Sequence, residues 1–154
     1  MLSSGVRAPE FEVQLNTGEI FRLKDIRGTH HLVLIFYPKD FTHGCTREVC
    51  GFRNHFEELS GLGAVIIGVS RDPLETHKSF ARRHALPFPL ASDPDLRLSR
   101  LYDVVGWGGL WFKRVTFLID KELVVRGVLH HEILVDSHWQ RTLGLLRTLN
   151  GASA

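Results

Sequence analysis

The sequence predicts a mixed α/β domain of three layers, and three observations lead there. Residues 31–37 and 64–69 are nearly all apolar, as central strands buried on both faces would be. Stretches with a helical apolar period alternate with them. A strand pair and a terminal helix then close the chain, in the order ββ-β-α-β-α-(α)-β-β-α.

Residues 11–15 and 20–23 alternate in polarity about the turn residues Asn16, Thr17, Gly18 and Glu19, which predicts an N-terminal β-hairpin. The apolar run of residues 31–37 ends at Pro38. From about 44 to 59 the signals are helical. Val49, Phe52, Phe56 and Leu59 fall on one stripe of a 3.6-residue period, and Ser60-Gly61 stops it. Residues 64–69 form the second apolar strand. Asp72 before Pro73 reads as an N-cap with proline at the first helical position, opening a helix to about His84. Pro87 and Pro89 preclude helix, and Asp93-Pro94 starts a short one carrying Leu96 and Leu98. Residues 115–120 and 123–129 are spaced as an antiparallel pair about Asp120, Lys121 and Glu122. The last helix, 137–150, sets Leu143, Leu146 and Leu149 on one side, with Gly151 beyond.

Composition bounds the function. The 154 residues, with no repeat, low-complexity tract or linker, fit a single domain spanning 1–154. Hydrophobic residues make up 44% and charged residues 23%, which are globular values. Nineteen basic against seventeen acidic residues leave +2, too even a balance to argue for nucleic acid or an anionic membrane as partner. No apolar stretch is long enough to span a bilayer, and the first residues lack the apolar region of a secretory signal. The two cysteines, Cys45 and Cys50, are too few for a secreted disulfide scaffold, so a cytoplasmic setting is expected. In that setting a close pair is more often catalytic or metal-binding than structural. The nine histidines are scattered without metal-ligand spacing, and no metal or other cofactor is expected.

The chemistry concentrates where the first apolar strand meets the helix. Cys45 falls at that helix start, where unpaired backbone N–H groups and the positive end of the helix dipole favour thiolate. Thr42, three residues earlier, can bring a hydroxyl near the sulfur, and Pro38 fixes the entry of the loop. Ionisation alone does little. Moving a thiol's pKa from ~8.5 to ~6 raises the thiolate fraction at pH 7 roughly 30-fold. The accompanying fall in nucleophilicity removes ~10–20-fold of that. A fast cysteine enzyme therefore needs donors aimed at the transition state, including a cation from elsewhere in the chain.

The pattern Pro38-x-x-x-Thr42-x-x-Cys45 resembles the active-site loop of the peroxiredoxins, the thiol peroxidases. Cys50, five positions on, is similar to the second cysteine of the bacterioferritin-comigratory protein/PrxQ subfamily. Ala8-Pro9-Glu10-Phe11, the strand through Pro38, and the stretches 65–70, 88–93 and 114–120 also resemble family segments in order, so the likeness covers about 5–150. The resemblance implies a thioredoxin-like fold, a central mixed sheet with flanking helices, carrying the N-terminal hairpin as an extension. It implies Cys45 as peroxidatic nucleophile, Thr42 as hydroxyl donor, Pro38 as shield and Arg114 as the missing cation. It further implies peroxide as substrate, a Cys45–Cys50 disulfide intermediate, a thioredoxin-type reductant and, by a modest preference, a monomer.

Five residues along an ideal helix rise ~7.5 Å, giving a Cα separation of roughly 8–9 Å. A disulfide tolerates only ~4.4–6.8 Å. The helix is therefore expected to unwind in each cycle, as the resemblance also implies. Several alternatives stay open at this stage. Cys50 could be inert, with an external thiol doing its work. The chain could be a dithiol–disulfide oxidoreductase or a redox sensor on the same fold. His43 reads as an exposed turn residue or an influence on the thiolate. Glu48 orients groups at the helix start, or pairs on the surface with Arg47 or Arg53. The glycine- and tryptophan-rich segment 105–112 reads as a lid for a bulky hydroperoxide, a contact surface or aromatic packing over a core edge.

Overall fold

The computed structural model describes residues 1–106, 109, 112–130 and 137–152. Strands β1 (Glu12–Gln14) and β2 (Ile20–Arg22) pair antiparallel as the expected hairpin, followed by a 3-10 turn at Leu23–Ile26. Then come β3 (His31–Phe36), α1 (His43–Asn54), α2 (Phe56–Gly61), β4 (Ala64–Ser70) and α3 (Leu74–Arg83). The chain continues through β5 (Leu90–Ser92), α4 (Arg97–Leu101), β6 (Val115–Ile119), β7 (Val125–His130) and α5 (Ser137–Ala152).

Five strands form one mixed sheet in the order β5-β4-β3-β6-β7. The first three run parallel to one another, β6 runs antiparallel to β3, and β7 runs antiparallel to β6. As the apolar run demanded, β3 is buried on both faces and divides the core by its alternation. Leu32, Leu34 and Phe36 point to the side covered by the hairpin and α4. Val33, Ile35 and Tyr37 point to the side covered by α1, α2, α3 and α5. This is the thioredoxin-like arrangement with the hairpin added.

Register is what builds the site. In the antiparallel pairing Phe36 lies opposite Val115, and in the parallel pairing it lies opposite Val69. Arg114, one residue before β6, is thereby delivered to the edge where β3 exits into the Pro38 loop. The end of β4 arrives at the same edge.

Four local expectations need correction. The single helix of 44–59 is two helices, broken at His55 (φ −116°, ψ 16°). The apolar stripe runs on across the break, with Val49, Phe52 and Leu59 all buried, so periodicity conceals it. Asp72 does not cap α3, whose N-cap is Pro73 without a side-chain bond. Its carboxylate accepts instead from Ser70 Oγ (2.5 Å) and from the Asp40 amide (2.8 Å). The short helix starts at Arg97, later than Asp93, although the Asp93 carboxylate does accept from the amides of Leu98 and Ser99. Finally, β5 emerges between the proline-rich stretch and Asp93 because β4 and Asn16 supply its hydrogen bonds. Asn16 bonds the Leu90 carbonyl through its backbone amide and the Leu90 amide through its Oδ1.

Candidate active site

The loop from Tyr37 to Thr42 links the end of β3 to the N-terminus of α1. Thr42 has the extended dihedrals of an N-cap but makes no side-chain cap bond, so the first amides of α1 remain unclaimed within the helix. Cys45 sits over that end and is 1% exposed. Its sulfur lies 3.4 Å from Arg114 Nη1. The same nitrogen donates to Glu48 Oε2 at 2.7 Å. Glu48 follows Cys45 by one helical turn, so both groups face the guanidinium from the same side of α1. Gly44 makes the approach possible, since a Cβ there would lie 3.1 Å from Arg114 Nη2.

Glu48 is fully buried, so the surface pairing with Arg47 or Arg53 is not its role. It is the partner of Arg114. Burial works against the charge on Arg114. The hydrogen bond and charge of Glu48, with the Cys45 sulfur, outweigh that and leave the pKa above its ordinary value. Behind Glu48, buried His138 of α5 places Nδ1 2.8 Å from Thr116 Oγ1 and 3.6 Å from Glu48 Oε1.

The remaining expected residues fall around this centre. Pro38 is half-buried and follows Tyr37, whose amide bonds the Val69 carbonyl. Thr42 is exposed and donates its hydroxyl to the Lys39 carbonyl at 2.8 Å, not to the sulfur. His43 is exposed at the first position of α1. Cys50 is half-buried on the same unbroken helix as Cys45, and both thiols are free. Trp107, Gly108, Leu110 and Trp111 lie outside the described residues. Of that segment's flanks, Val105 bridges Phe112, whose buried ring packs on Phe36 at 5.8 Å.

Sequence reasoning passed over the polar support beneath the loop. The phenol of Tyr37 donates to Asp40 Oδ1 (2.5 Å), and Asp40 Oδ2 meets His77 Nδ1 (2.6 Å). Burial and the charges of Asp40, Asp72 and Cys45 push the Tyr37 phenol well above its ordinary pKa, so it stays a donor. Donor atoms of Asp40, Asp72 and His77 lie within 4.8 Å of one another, a metal-like grouping among the described residues. Their lone pairs and protons are already committed to one another, to Ser70 and to the Ala91 carbonyl, so the cluster is built as a hydrogen-bonded network. Only the spacing of His77 and Phe80, one turn apart on an inward stripe, hinted at it.

A buried thiol at a helix N-terminus, touched by a carboxylate-anchored guanidinium, is the equipment of a thiol peroxidase on a thioredoxin-like fold. Comparison with known proteins agrees. The AhpC/TSA family profile matches residues 4–128. The peroxiredoxin Bcp of Bacillus subtilis is 44% identical over 124 residues, covering 77% of this chain and 78% of that one. The structure of peroxidoxin BcpB from Mycobacterium tuberculosis superposes with a TM-score of 0.90 at 32% identity, covering 97% and 99% of the two chains. The bacterioferritin comigratory protein of Xanthomonas campestris, studied for its alkyl peroxide reduction activity, superposes at 0.87 with 32% identity, covering 96% and 99%.

The chain belongs to the AhpC/TSA family, as a peroxiredoxin of the Bcp/PrxQ type. It is a thiol-dependent peroxidase, acting on peroxide and recycled by a thioredoxin-type reductant.

Proposed function

We propose that Cys45 is the peroxidatic cysteine and Cys50 the resolving one, within a single domain working as a monomer in the cytoplasm. The observation that carries this reading is the Arg114 Nη1 shared between the Cys45 sulfur and Glu48. A cation held there stabilises the thiolate and then the charge growing on the leaving oxygen. Thr42 and the open amides of α1 supply further donors to the peroxide, and Pro38 shields the loop. The thiolate attacks one oxygen of the O–O bond, which breaks. The sulfur becomes sulfenic acid, and the other oxygen takes up one proton, balancing the one the thiol gave up on ionising, and leaves as water or, from an organic hydroperoxide, as an alcohol.

The Cys50 thiol then condenses with the sulfenic acid, forming the disulfide and releasing a second water. On an intact α1 the Cα atoms of the two cysteines stand about 1.4 turns apart, roughly 7.5 Å along the axis. The first turns of α1 therefore unwind to close the bond. A thioredoxin-type dithiol reduces the disulfide, and α1 rewinds. Among the described residues no helix is long and apolar enough to cross a membrane.

The test is thiol titration with intact mass before and after one equivalent of hydrogen peroxide. Wild type should lose both thiols and ~2 Da, and Cys50→Ser should hold a sulfenic acid on Cys45. Two thiols surviving in wild type after minutes would end the peroxidase assignment of Cys45. Loss of Cys45 alone in wild type would instead make Cys50 inert and the resolving thiol external.

A further inference from the structure

The loop that presents Cys45 has an awkward shape. Phe41 is 52% exposed at its tip and takes a left-handed φ of 64°, a strained conformation for a residue with a Cβ. A loop of this kind keeps its shape only if something outside it does the holding. The residue just before the strained one, Asp40, is buried and held on three sides. Its Oδ1 accepts from Tyr37, its amide donates to Asp72, and its Oδ2 meets His77 Nδ1 at 2.6 Å. His77 is wholly buried in the middle of α3, and its Nε2 faces the Ala91 carbonyl of β5 at 3.0 Å.

We propose that His77 is a positioning residue for peroxide reduction: acting through Asp40, it locks the Pro38–Thr42 turn against α3 and β5 in the shape that presents Thr42 and the amides of α1 to Cys45. The peroxidase activity needs those donors aligned in advance, and an ångström of misplacement costs rate. The lock also defines which part of the chain stays still. Unwinding of α1 starts beyond Asp40, while the strand side of the loop remains anchored. The inference rests on the peroxidase reading and adds to it a residue remote in sequence from the loop.

The geometry distinguishes a hydrogen-bonded lock from mere filling of space. His77 has an acceptor within reach of each ring nitrogen, Asp40 Oδ2 at Nδ1 and the Ala91 carbonyl at Nε2. His77→Asn keeps an amide nitrogen near the place of Nδ1, able to donate to Asp40, whereas His77→Leu fills the space with no donor at all.

The experiment measures the single-turnover rate of hydrogen peroxide reduction in a Cys50→Ser background, which stops the cycle at the sulfenic acid. His77→Leu should slow this step at least about tenfold while circular dichroism remains native, and His77→Asn should restore the rate to within about threefold of the parent. A folded His77→Leu protein reacting at the parental rate overturns the proposal, as does a folded His77→Asn protein no faster than His77→Leu. If His77→Leu does not fold, His77→Gln, whose longer amide reaches the Ala91 carbonyl rather than Asp40, takes its place with the same two readings. A parent that leaves peroxide untouched sinks the peroxidase reading and this proposal together, whereas a reactive parent with indifferent variants sinks only the proposal.

Discussion

At the scale of single residues, one guanidinium nitrogen serves both the Cys45 sulfur and the Glu48 carboxylate, and that sharing is what Arg114 contributes. A lysine would keep the charge but not the planar fork that can address sulfur, carboxylate and an incoming peroxide together. Arg114→Lys should therefore lower the rate of the peroxide step by about 10²–10³-fold, the loss of one transition-state donor. Stopped-flow oxidation with excess peroxide would measure it, and a loss under threefold would mean that charge alone suffices. Glu48 makes the arrangement possible, because a guanidinium this deeply placed needs a carboxylate beside it. The carboxylate's identity was visible in the sequence, but its burial was not. Nothing near residue 48 says that residue 114 will arrive opposite it.

Among the elements, α1 carries both cysteines and has to be stable yet able to unwind. Its second half is braced from α5. Trp139 packs flat on His55, with ring centres 3.6 Å apart and planes 10° from parallel. The same indole fills the space over Gly51, where a Cβ would fall 2.6 Å from Trp139 Cδ1. Gly51 sits next to Cys50, so a substitution there strains the brace close to the resolving thiol. Gly51→Ala is expected to destabilise the fold by ~1–3 kcal/mol, the usual cost of overpacking, outweighing alanine's better helix propensity. Urea unfolding of reduced protein would show it, and an unchanged midpoint would mean that the indole moves aside freely. The break between α1 and α2 falls at the same contact. His55 leaves helical geometry at the residue that meets Trp139, a contact across two elements that a local apolar period has no means of reporting.

Across the whole molecule, a mixed sheet brings three distant stretches to one edge, and its burial has a pH signature. His31 opens β3 with its ring buried. Burial chiefly pushes its pKa below 6.5, the neighbouring charges of Lys121 and His30 add to this, and Asn150 and Asp120 oppose it. His84 is lowered in the same direction, first by burial and then by Arg53 and Arg83. In the unfolded chain these rings take up protons near pH 6.5, while in the fold they resist until lower pH. The unfolded state then binds more protons, so the stability these groups contribute is present above about pH 6.5 and is lost as pH falls below it. Denaturant midpoints should drop between pH 7.5 and 5.5, and His31→Gln should flatten that slope. An identical slope in the variant would assign the loss to other groups.

The sequence by itself determined what depends on neighbours along the chain. The all-apolar run made β3 a buried central strand, the alternating turn-flanked segments made the hairpin, and Pro38, Thr42 and Cys45 at a strand-to-helix junction marked the reactive loop. The likeness of the Arg114-x-Thr116-Phe117 segment to the family also drew Arg114 into the site, ahead of any contact. Only the tertiary structure decided what depends on register and packing between distant segments. Glu48 meets Arg114 across 66 residues and Asp40 meets His77 across 37. Such pairs form because strands pair in one register and helices pack on one face, and a buried polar group must then take whichever partner that packing brings within reach.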